Sequence, residues 1–169
     1  VKEVLGDLGG HKEKSSRGFH VHTTLLMDAE NEKTIGLIAQ NRWCRAVEER
    51  GKKVHRRVRQ YSEKESYQWE KNTLELESRL GTKMTDVISV CDREADIFEY
   101  IQYKLDHEKR FIVRASHNRK LEQGEGYLFQ HLSNATALGN YTIEVAQKKG
   151  RKKRQVMLEL KALTVTFSP

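Results

Sequence analysis

The pattern that most constrains the fold lies in the middle of the chain. A short run rich in β-branched residues, "TDVISVC" at 85–91, predicts a buried strand. A helical pattern at 93–106 follows it, and "RFIVRAS" at 110–116 predicts a second buried strand. Strand, helix and strand within about 30 residues are typical of a right-handed parallel βαβ unit. An α/β fold with a sheet flanked by helices is therefore expected.

The first part of the chain adds an antiparallel element to this unit. Polar and apolar residues alternate in "FHVHTTLLM" at 19–27, and "TIGLIAQNRWC" at 34–44 is a second strand candidate, so the two predict a β-hairpin. Residues 64–80 predict a helix, with a capping box formed by Ser62 and Glu65. The expected result is a mixed sheet rather than an all-parallel one.

Two further expectations concern the helices and the last part of the chain. The apolar face of the helix at 93–106 is predicted to consist of Ala95, Ile97, Phe98, Ile101 and Leu105. A short helix is predicted at 126–134, followed by strands at 141–147 and 155–168. The pattern changes from mixed α/β to all-β near residue 136, so 1–135 and 136–169 are predicted to be separate domains.

Composition excludes several classes of protein. The apolar runs, such as 87–91, are far too short to span a bilayer, and no secretory signal pattern is recognised near residue 1. Cys44 and Cys91 are too few for a disulfide framework or a zinc cluster, and two buried thiols in a reducing cytosol are expected. The 169 residues carry 31 Lys and Arg against 24 Asp and Glu, a net charge of +7. This basic excess points to a polyanionic partner.

The positive charge is clustered in two segments that predict contacts with a phosphate backbone. Such contacts position nucleic acid without reading its sequence, and the simpler alternative is a solvated charged loop. The first segment contains Lys52, Lys53, Arg56, Arg57 and Arg59, and the second contains Lys148, Lys149, Arg151, Lys152, Lys153 and Arg154.

Asp92 is the residue most suited to chemistry. It follows a buried strand directly, at the end of the strand where ligands gather in open α/β sheets. Asp92 and Asp96 are four residues apart and would share a face if the helix began at Asp92. Carboxylates at strand ends can hold Mg²⁺ or Mn²⁺, although an Asp at this junction is equally a good helix N-cap. One Asp cannot hold two ions, so further carboxylates would be needed.

The paired histidines and the tryptophans invite two weaker interpretations. His20 and His22 lie on one face of a strand but lack the further ligands of a metal site, so a packing or surface role is favoured. Trp43 and Trp69 could stack on a flipped base, but their strand and helix positions favour core packing.

Three segments together resemble a known family. "VISVCDREADIFEYIQYKL", "EKRFIVRASHNRK" and "SSRGFHVHTTLLMDAE" are similar to the DDE transposases of bacterial insertion sequences, most nearly the IS-four family and the Tn-five transposase. The D-R-E-A-D-I run is the most specific part, and the supporting segments match in order from about Arg17 onward. The resemblance implies a ribonuclease-H-like mixed sheet flanked by helices, with a β-rich insertion begun at 136–169.

The resemblance also implies a site and a reaction. Three carboxylates bind two Mg²⁺ ions, with Mn²⁺ as substitute, and Asp92 aligns with the second of the three. Asp96 is then a flanking residue, and Arg114 aligns with an arginine near the DNA phosphates. The parent protein would be a magnesium-dependent polynucleotidyl transferase that cleaves double-stranded DNA at transposon ends and joins it to target DNA.

The resemblance covers only part of that site. The first catalytic Asp of the family lies on a strand upstream of the segment that resembles residues 1–18, and the catalytic Glu lies on a helix beyond the β-rich insertion. We therefore expect the parent protein to be the enzyme and this chain alone to be inactive.

Other functions stay open from the sequence. A non-catalytic DNA-binding remnant, or a regulatory partial product of a transposase, explains the charge equally well. A different metal nuclease would need carboxylates that no pattern here supplies, and an RNA-binding module lacks its aromatic strand signature. The expected location is the bacterial cytoplasm, associated with the nucleoid and without a membrane partner. Whether synapsis makes the protein a homodimer is not decided by the sequence.

Overall fold

A computed structural model describes residues 6–7, 17–44, 59–124 and 126–168. The chain divides into two compact units, Val1–Arg114 and Ala115–Pro169. In the first unit the strands are β1 (Gly6–Asp7), β2 (Arg17–Gly18), β3 (His20–Met27), β4 (Thr34–Trp43), β5 (Ser89–Cys91) and β6 (Phe111–Val113). Its helices are α1 (Gln68–Leu80) and α2 (Phe98–Asp106). The second unit contains α3 (Leu128–Asn134), β7 (Gly139–Val145) and β8 (Arg154–Leu160).

Strands β3 and β4 form the predicted antiparallel hairpin. His20 lies opposite Trp43 and Met27 opposite Thr34, with register shifts between Thr24 and Leu25 and between Leu26 and Met27. In the connecting turn, the Asp28 carboxylate accepts a hydrogen bond from the Glu30 backbone N–H at 2.8 Å. Alternation along β3 leaves every second residue half-buried, so the hairpin has one covered face and one exposed face.

Helix α1 covers the half-buried face of the hairpin. Ala39, Leu76 and Met84 form a small buried core against which Ile38, Leu80 and Val87 pack. Asn72, which is 6 % exposed, donates from Nδ2 to Thr24 Oγ1 at 2.6 Å and so ties α1 to β3. Hydrogen bonding and apolar contact therefore hold the same interface.

The ends of α1 differ from expectation at one terminus. Gly81 follows the last helical residue with φ +53°, a conformation that glycine adopts without strain. The predicted capping box is wrong, because the helix begins after Tyr67 without a side-chain cap. Two 3₁₀ turns, Tyr61–Glu63 and Glu65–Tyr67, occupy the preceding residues, so Ser62 and Glu65 lie outside capping positions.

The βαβ unit is confirmed. Strands β5 and β6 pair in parallel, Ser89 with Phe111 and Cys91 with Val113, and α2 connects them. The helix begins later than predicted, because a 3₁₀ turn at Arg93–Ala95 and an extended Ile97 (φ −114°, ψ 127°) precede it.

The predicted apolar face of this segment is confirmed in part, since Ala95 is buried and Ile97, Phe98 and Ile101 are half-buried. Leu105 is 60 % exposed, whereas Tyr100 and Lys104 are buried. Lys104 rather than Leu105 therefore belongs to the buried face near the end of the helix.

In the second unit, β7 and β8 form an antiparallel hairpin that pairs Gly139 with Leu160 and Val145 with Arg154. Strand β8 ends at Leu160, earlier than the predicted 168. An isolated bridge joins Leu121, which is buried, to Phe167.

The class predicted from the sequence is confirmed at the level of a mixed α/β fold. Four two-stranded sheets and three α-helices occur within the residues that the structure describes. None of these described helices is both long and apolar enough to cross a bilayer.

The Asn72 hydrogen bond should be measurable as stability. In Asn72→Ala, the loss of this buried polar contact should lower the free energy of unfolding by about 1–3 kcal/mol. Ser78→Ala, at an exposed position of the same helix, should change it by less than about 0.5 kcal/mol. Urea unfolding of the three proteins measures the difference, and an Asn72→Ala protein as stable as the wild type would contradict it.

Candidate functional site

Asp92 lies at the carboxyl end of β5 and is exposed. Its Oδ1 accepts a hydrogen bond from the Glu94 backbone N–H at 2.9 Å. The side chain therefore caps the 3₁₀ turn at Arg93–Ala95, the capping role that the sequence offered as an alternative. Within the described residues, Oδ2 has no hydrogen-bond partner, and a carboxylate oxygen has lone pairs to spare. The cap thus leaves part of the carboxylate available.

Asp96 does not accompany Asp92. It lies after the 3₁₀ turn with φ −74° and ψ 65°, and it is 4 % exposed. The two carboxylates would share a helix face only if a helix began at Asp92, and this condition is not met, since no α-helix spans 92–96. Asp96 points to the interior while Asp92 faces solvent.

A cleft of about 1650 Å³ opens beside Asp92. Its lining includes residues 20–29, which comprise β3 and the start of the following turn, and residues 86–92, which contain β5. Side chains of α1, among them Trp69, Thr73 and Leu76, also contribute to its lining. In the described part of the chain, β3 pairs only with β4 and β5 only with β6. Two strand edges with free backbone groups therefore face the same cleft.

His22 of β3 interacts electrostatically with the carboxylates that follow β5. Burial lowers the pKa of His22, and the nearby Asp92 and Glu94 carboxylates act in the opposite direction. Asp92, Glu94 and His22 all line the cleft. The carboxyl end of β5 thus lies near the first half of β3.

The two histidines pack on the two tryptophans, as the favoured interpretation predicts. His20 stacks on Trp43 with ring centroids 5.5 Å apart, and His22 contacts Trp69 edge to face at 4.5 Å. Trp43 Nε1 also donates to Glu65 Oε1 at 3.3 Å.

Arg114 lies beside Asp92 at the same sheet edge. Its backbone N–H donates to the Cys91 carbonyl at 3.2 Å, which extends the β5–β6 pairing by one residue. The Arg114 side chain is exposed. A cationic side chain and a carboxylate therefore follow adjacent parallel strands, and an Arg side chain can hydrogen-bond a phosphate.

The Asp92 carboxylate is a suitable type of ligand for a divalent cation, but the described residues provide too few such ligands for a complete site. An exposed carboxylate is the hard oxygen ligand that Mg²⁺ and Mn²⁺ prefer. No group of three or more His, Cys, Asp or Glu side chains suited to a metal ion occurs in the described ranges. Asp92 is thus a single candidate ligand, and the described residues do not form a complete two-ion site.

The two basic segments have different outcomes. Lys52, Lys53, Arg56 and Arg57 lie outside the described residues, and Arg59 is half-buried. The second segment forms the exposed turn between β7 and β8, where Lys148 and Arg151 exchange backbone hydrogen bonds. Gly150 turns the chain with φ +80°. Its six cations are Lys148, Lys149, Arg151, Lys152, Lys153 and Arg154, of which Lys153 pairs with Glu144 at 2.8 Å.

The sequence patterns did not single out Lys104, a residue of α2 that contacts β5. Its Nζ donates to Ser89 Oγ at 3.0 Å and lies 5.3 Å from the Tyr100 ring centroid. Burial lowers its pKa to about 8. A signal was present, because Lys104 is three residues after Ile101 and seven after Ile97 and so continues an apolar helical stripe.

The expectation of two buried thiols is wrong for Cys44, which is exposed. Cys91 is half-buried, and burial raises the pKa of its thiol.

No protein-family model matches the chain.

The buried ammonium of Lys104 predicts a pH-dependent stability. Its pKa of about 8 lies below the ordinary value of 10.5, so the unfolded chain binds more protons between these pH values. Wild-type stability should therefore rise from pH 8 to pH 10.5 relative to Lys104→Met, by up to about 3 kcal/mol. Lys83→Met, at an exposed position, serves as control, and urea unfolding at each pH gives the comparison. Parallel stability curves for wild type and Lys104→Met would contradict the expectation.

Proposed function

We propose that this chain is part of the catalytic core of a cut-and-paste DNA transposase. The observation that carries the proposal is the position of Asp92, which is exposed at the carboxyl end of β5 and lines a cleft between β3 and β5, two strands that each pair on one edge only within the described residues. Arg114 follows the neighbouring strand at the same edge. The D-R-E-A-D-I run that begins at Asp92 is the segment most similar to DDE transposases.

The cleft supports the ribonuclease-H-like arrangement of the proposal. Because β3 and β5 line the same cleft, one strand that paired with both of them would join the hairpin and the parallel pair into one sheet. The strand order would then be β4, β3, the added strand, β5 and β6. The resemblance assigns the first catalytic Asp to a strand upstream, and on this added strand that Asp would lie close to Asp92.

The exposed apolar residues of both sheets support a further covering layer. Leu25 and Leu37 are more than half exposed on the hairpin, and Val90 is 76 % exposed on β5. Parallel strands are normally buried on both faces, since crossover connections place helices there. The helix that carries the catalytic Glu in the family would be one element able to cover this face.

The proposed chemistry begins with hydrolysis of a phosphodiester at the transposon end. The freed 3′-hydroxyl then attacks a phosphodiester of target DNA, so no covalent protein–DNA intermediate is required. Bound Mg²⁺ or Mn²⁺ would stabilise charge on the attacking and leaving oxygens. Asp92 would supply one ligand, with the remaining carboxylates outside this chain. Arg114 would hold a phosphate oxygen beside it.

The β7–β8 turn is the second part of the proposed DNA contact. Six cations around one exposed turn can neutralise phosphates and release counterions. These contacts would fix the position of double-stranded DNA without reading its sequence. The proposal implies a protein associated with the bacterial nucleoid, and a homodimer is one form that its synaptic complex could take.

A non-catalytic DNA-binding remnant is the second candidate. It is favoured by the absence of a three-ligand group within the described residues, while the basic turn is present. The reading frame on both sides of the chain separates the two candidates. Asp and Glu codons at the expected places would support the enzyme, and their loss would support the remnant.

Substitution of Asp92 tests the catalytic proposal in the longer protein. Asp92→Asn keeps an oxygen that can accept the Glu94 N–H but removes the charge, so stability should change by less than about 0.5 kcal/mol. Cleavage of transposon-end DNA with Mg²⁺ or Mn²⁺ should fall by roughly 100-fold or more, because a bound ion contributes several kcal/mol. Asp92→Ala should lose activity and also about 1 kcal/mol of stability.

Asp106→Asn is the matched control, because Asp106 is exposed on α2 and contacts Gln102. It should retain full cleavage. Undiminished cleavage by Asp92→Asn would refute the ligand role. The 169-residue chain by itself is expected to give no strand transfer in the same assay, and efficient joining by it would also refute the assignment.

The basic turn makes a separate prediction about salt dependence. Replacing Lys148, Lys149 and Lys152 by Gln should reduce the slope of log K against log salt by up to about 2.7, since each phosphate contact contributes about 0.9. Lys153→Gln should have a smaller effect than Lys152→Gln, because Lys153 already pairs with Glu144. DNA titrations at several salt concentrations measure both, and an unchanged slope in the triple variant would remove the turn from the interface.

A further inference from the structure

A buried lysine of α2 forms a hydrogen bond to strand β5. Lys104, with no exposed surface, donates from Nζ to Ser89 Oγ at 3.0 Å. Ser89 is the first residue of β5, and Asp92 follows its last residue directly. The hydrogen bond therefore joins α2 to the short strand that ends at the exposed carboxylate.

Lys104 is an unusual choice for this place. Within the described residues, no carboxylate forms an ion pair with it, because Glu77, which acts on it electrostatically, pairs with Lys109 instead. Removing an ammonium from water without an ionic partner is costly, so a Lys is seldom fully buried unless it is paired. A costly residue that stability does not explain is expected where function requires it.

We propose that Lys104 is a positioning residue for Asp92, acting through Ser89 and strand β5. The consequence for catalysis rests on the proposed function, whereas the effect on the position of Asp92 does not. Strand β5 is three residues long and pairs on one edge only within the described chain. Few contacts therefore determine how closely β5 packs against α2. One of them, the hydrogen bond from Lys104 to Ser89, comes from a charged side chain.

The protonation state of Lys104 would then affect the strand. The ammonium can only donate to Ser89 Oγ, whereas the neutral amine can also accept from it, so deprotonation changes the bond on which β5 rests. The groups that act on Lys104 from the surrounding elements are Cys91 of β5, Tyr100 of its own helix, Glu77 of α1 and Lys109 after α2. Of these, only Cys91 and Tyr100 are uncharged at neutral pH.

The Glu94 amide is a reporter of the position of Asp92 that needs no metal. It donates to Asp92 Oδ1 at 2.9 Å, so its NMR chemical shift follows the carboxylate. In the 169-residue chain, this amide should titrate with the same midpoint as the Lys104 side chain, about pH 8. The inflection should vanish in Lys104→Met and persist in Lys109→Met.

Ser89→Ala distinguishes the proposal from a field effect through space. This variant keeps the lysine but removes the hydroxyl that links it to β5. Most of the Glu94 amplitude should be lost while Lys104 itself still titrates. An undiminished Glu94 response in Ser89→Ala, or a flat Glu94 amide in the wild type, would overturn the positioning role.

The catalytic consequence is measured separately in the longer protein. The pH profile of DNA cleavage should contain an inflection near the Lys104 midpoint that Lys104→Met lacks. If the wild type neither cleaves DNA nor binds Mn²⁺, the proposed function fails, but the Glu94 measurement still decides the positioning role. Active wild type and Lys104→Met with identical pH profiles would overturn the catalytic consequence alone.

Discussion

The parallel pairing of β5 with β6 is the constraint on which the candidate site depends. Three residue pairs and the Arg114 N–H to Cys91 carbonyl bond hold the two strands in register. Because parallel strands end at the same sheet edge, the register brings Asp92 and Arg114 together although they are far apart in sequence. A slip of one residue would turn the side chains of the strand to the opposite face and separate the two groups.

That pairing is short, so the helices behind it carry much of its support. Tyr100 is buried, its hydroxyl lies 3.2 Å from Thr73 Oγ1, and its ring is 6.2 Å from that of Trp69. It therefore joins α2 to α1, while Lys104 joins α2 to β5. Burial raises the pKa of Tyr100, which keeps the phenol neutral and able to donate. The Tyr100–Thr73 and Lys104–Ser89 contacts thus pair polar groups that a low-dielectric interior would otherwise leave unsatisfied.

The secondary-structure elements could be predicted from the sequence where the spacing of apolar residues determines them. The β3–β4 hairpin and the βαβ unit follow from alternation and from apolar runs, and both are confirmed. The start of α2 could not be predicted, because Asp92 caps a 3₁₀ turn and the extended Ile97 delays the helix to Phe98. Asp92 could be found from its place after a strand, whereas its neighbours in space could not.

The two interpretations of Asp92 as a cap and as a ligand are compatible. One oxygen accepts the Glu94 N–H, which fixes the orientation of the carboxylate without using its second oxygen. A metal ligand needs such a fixed orientation, because outer hydrogen bonds hold first ligands in place. The cap also keeps Asp92 at the exposed edge while Asp96 turns inward. The local structure that explains why an Asp stands at this junction is therefore the same structure that would prepare it to bind a cation.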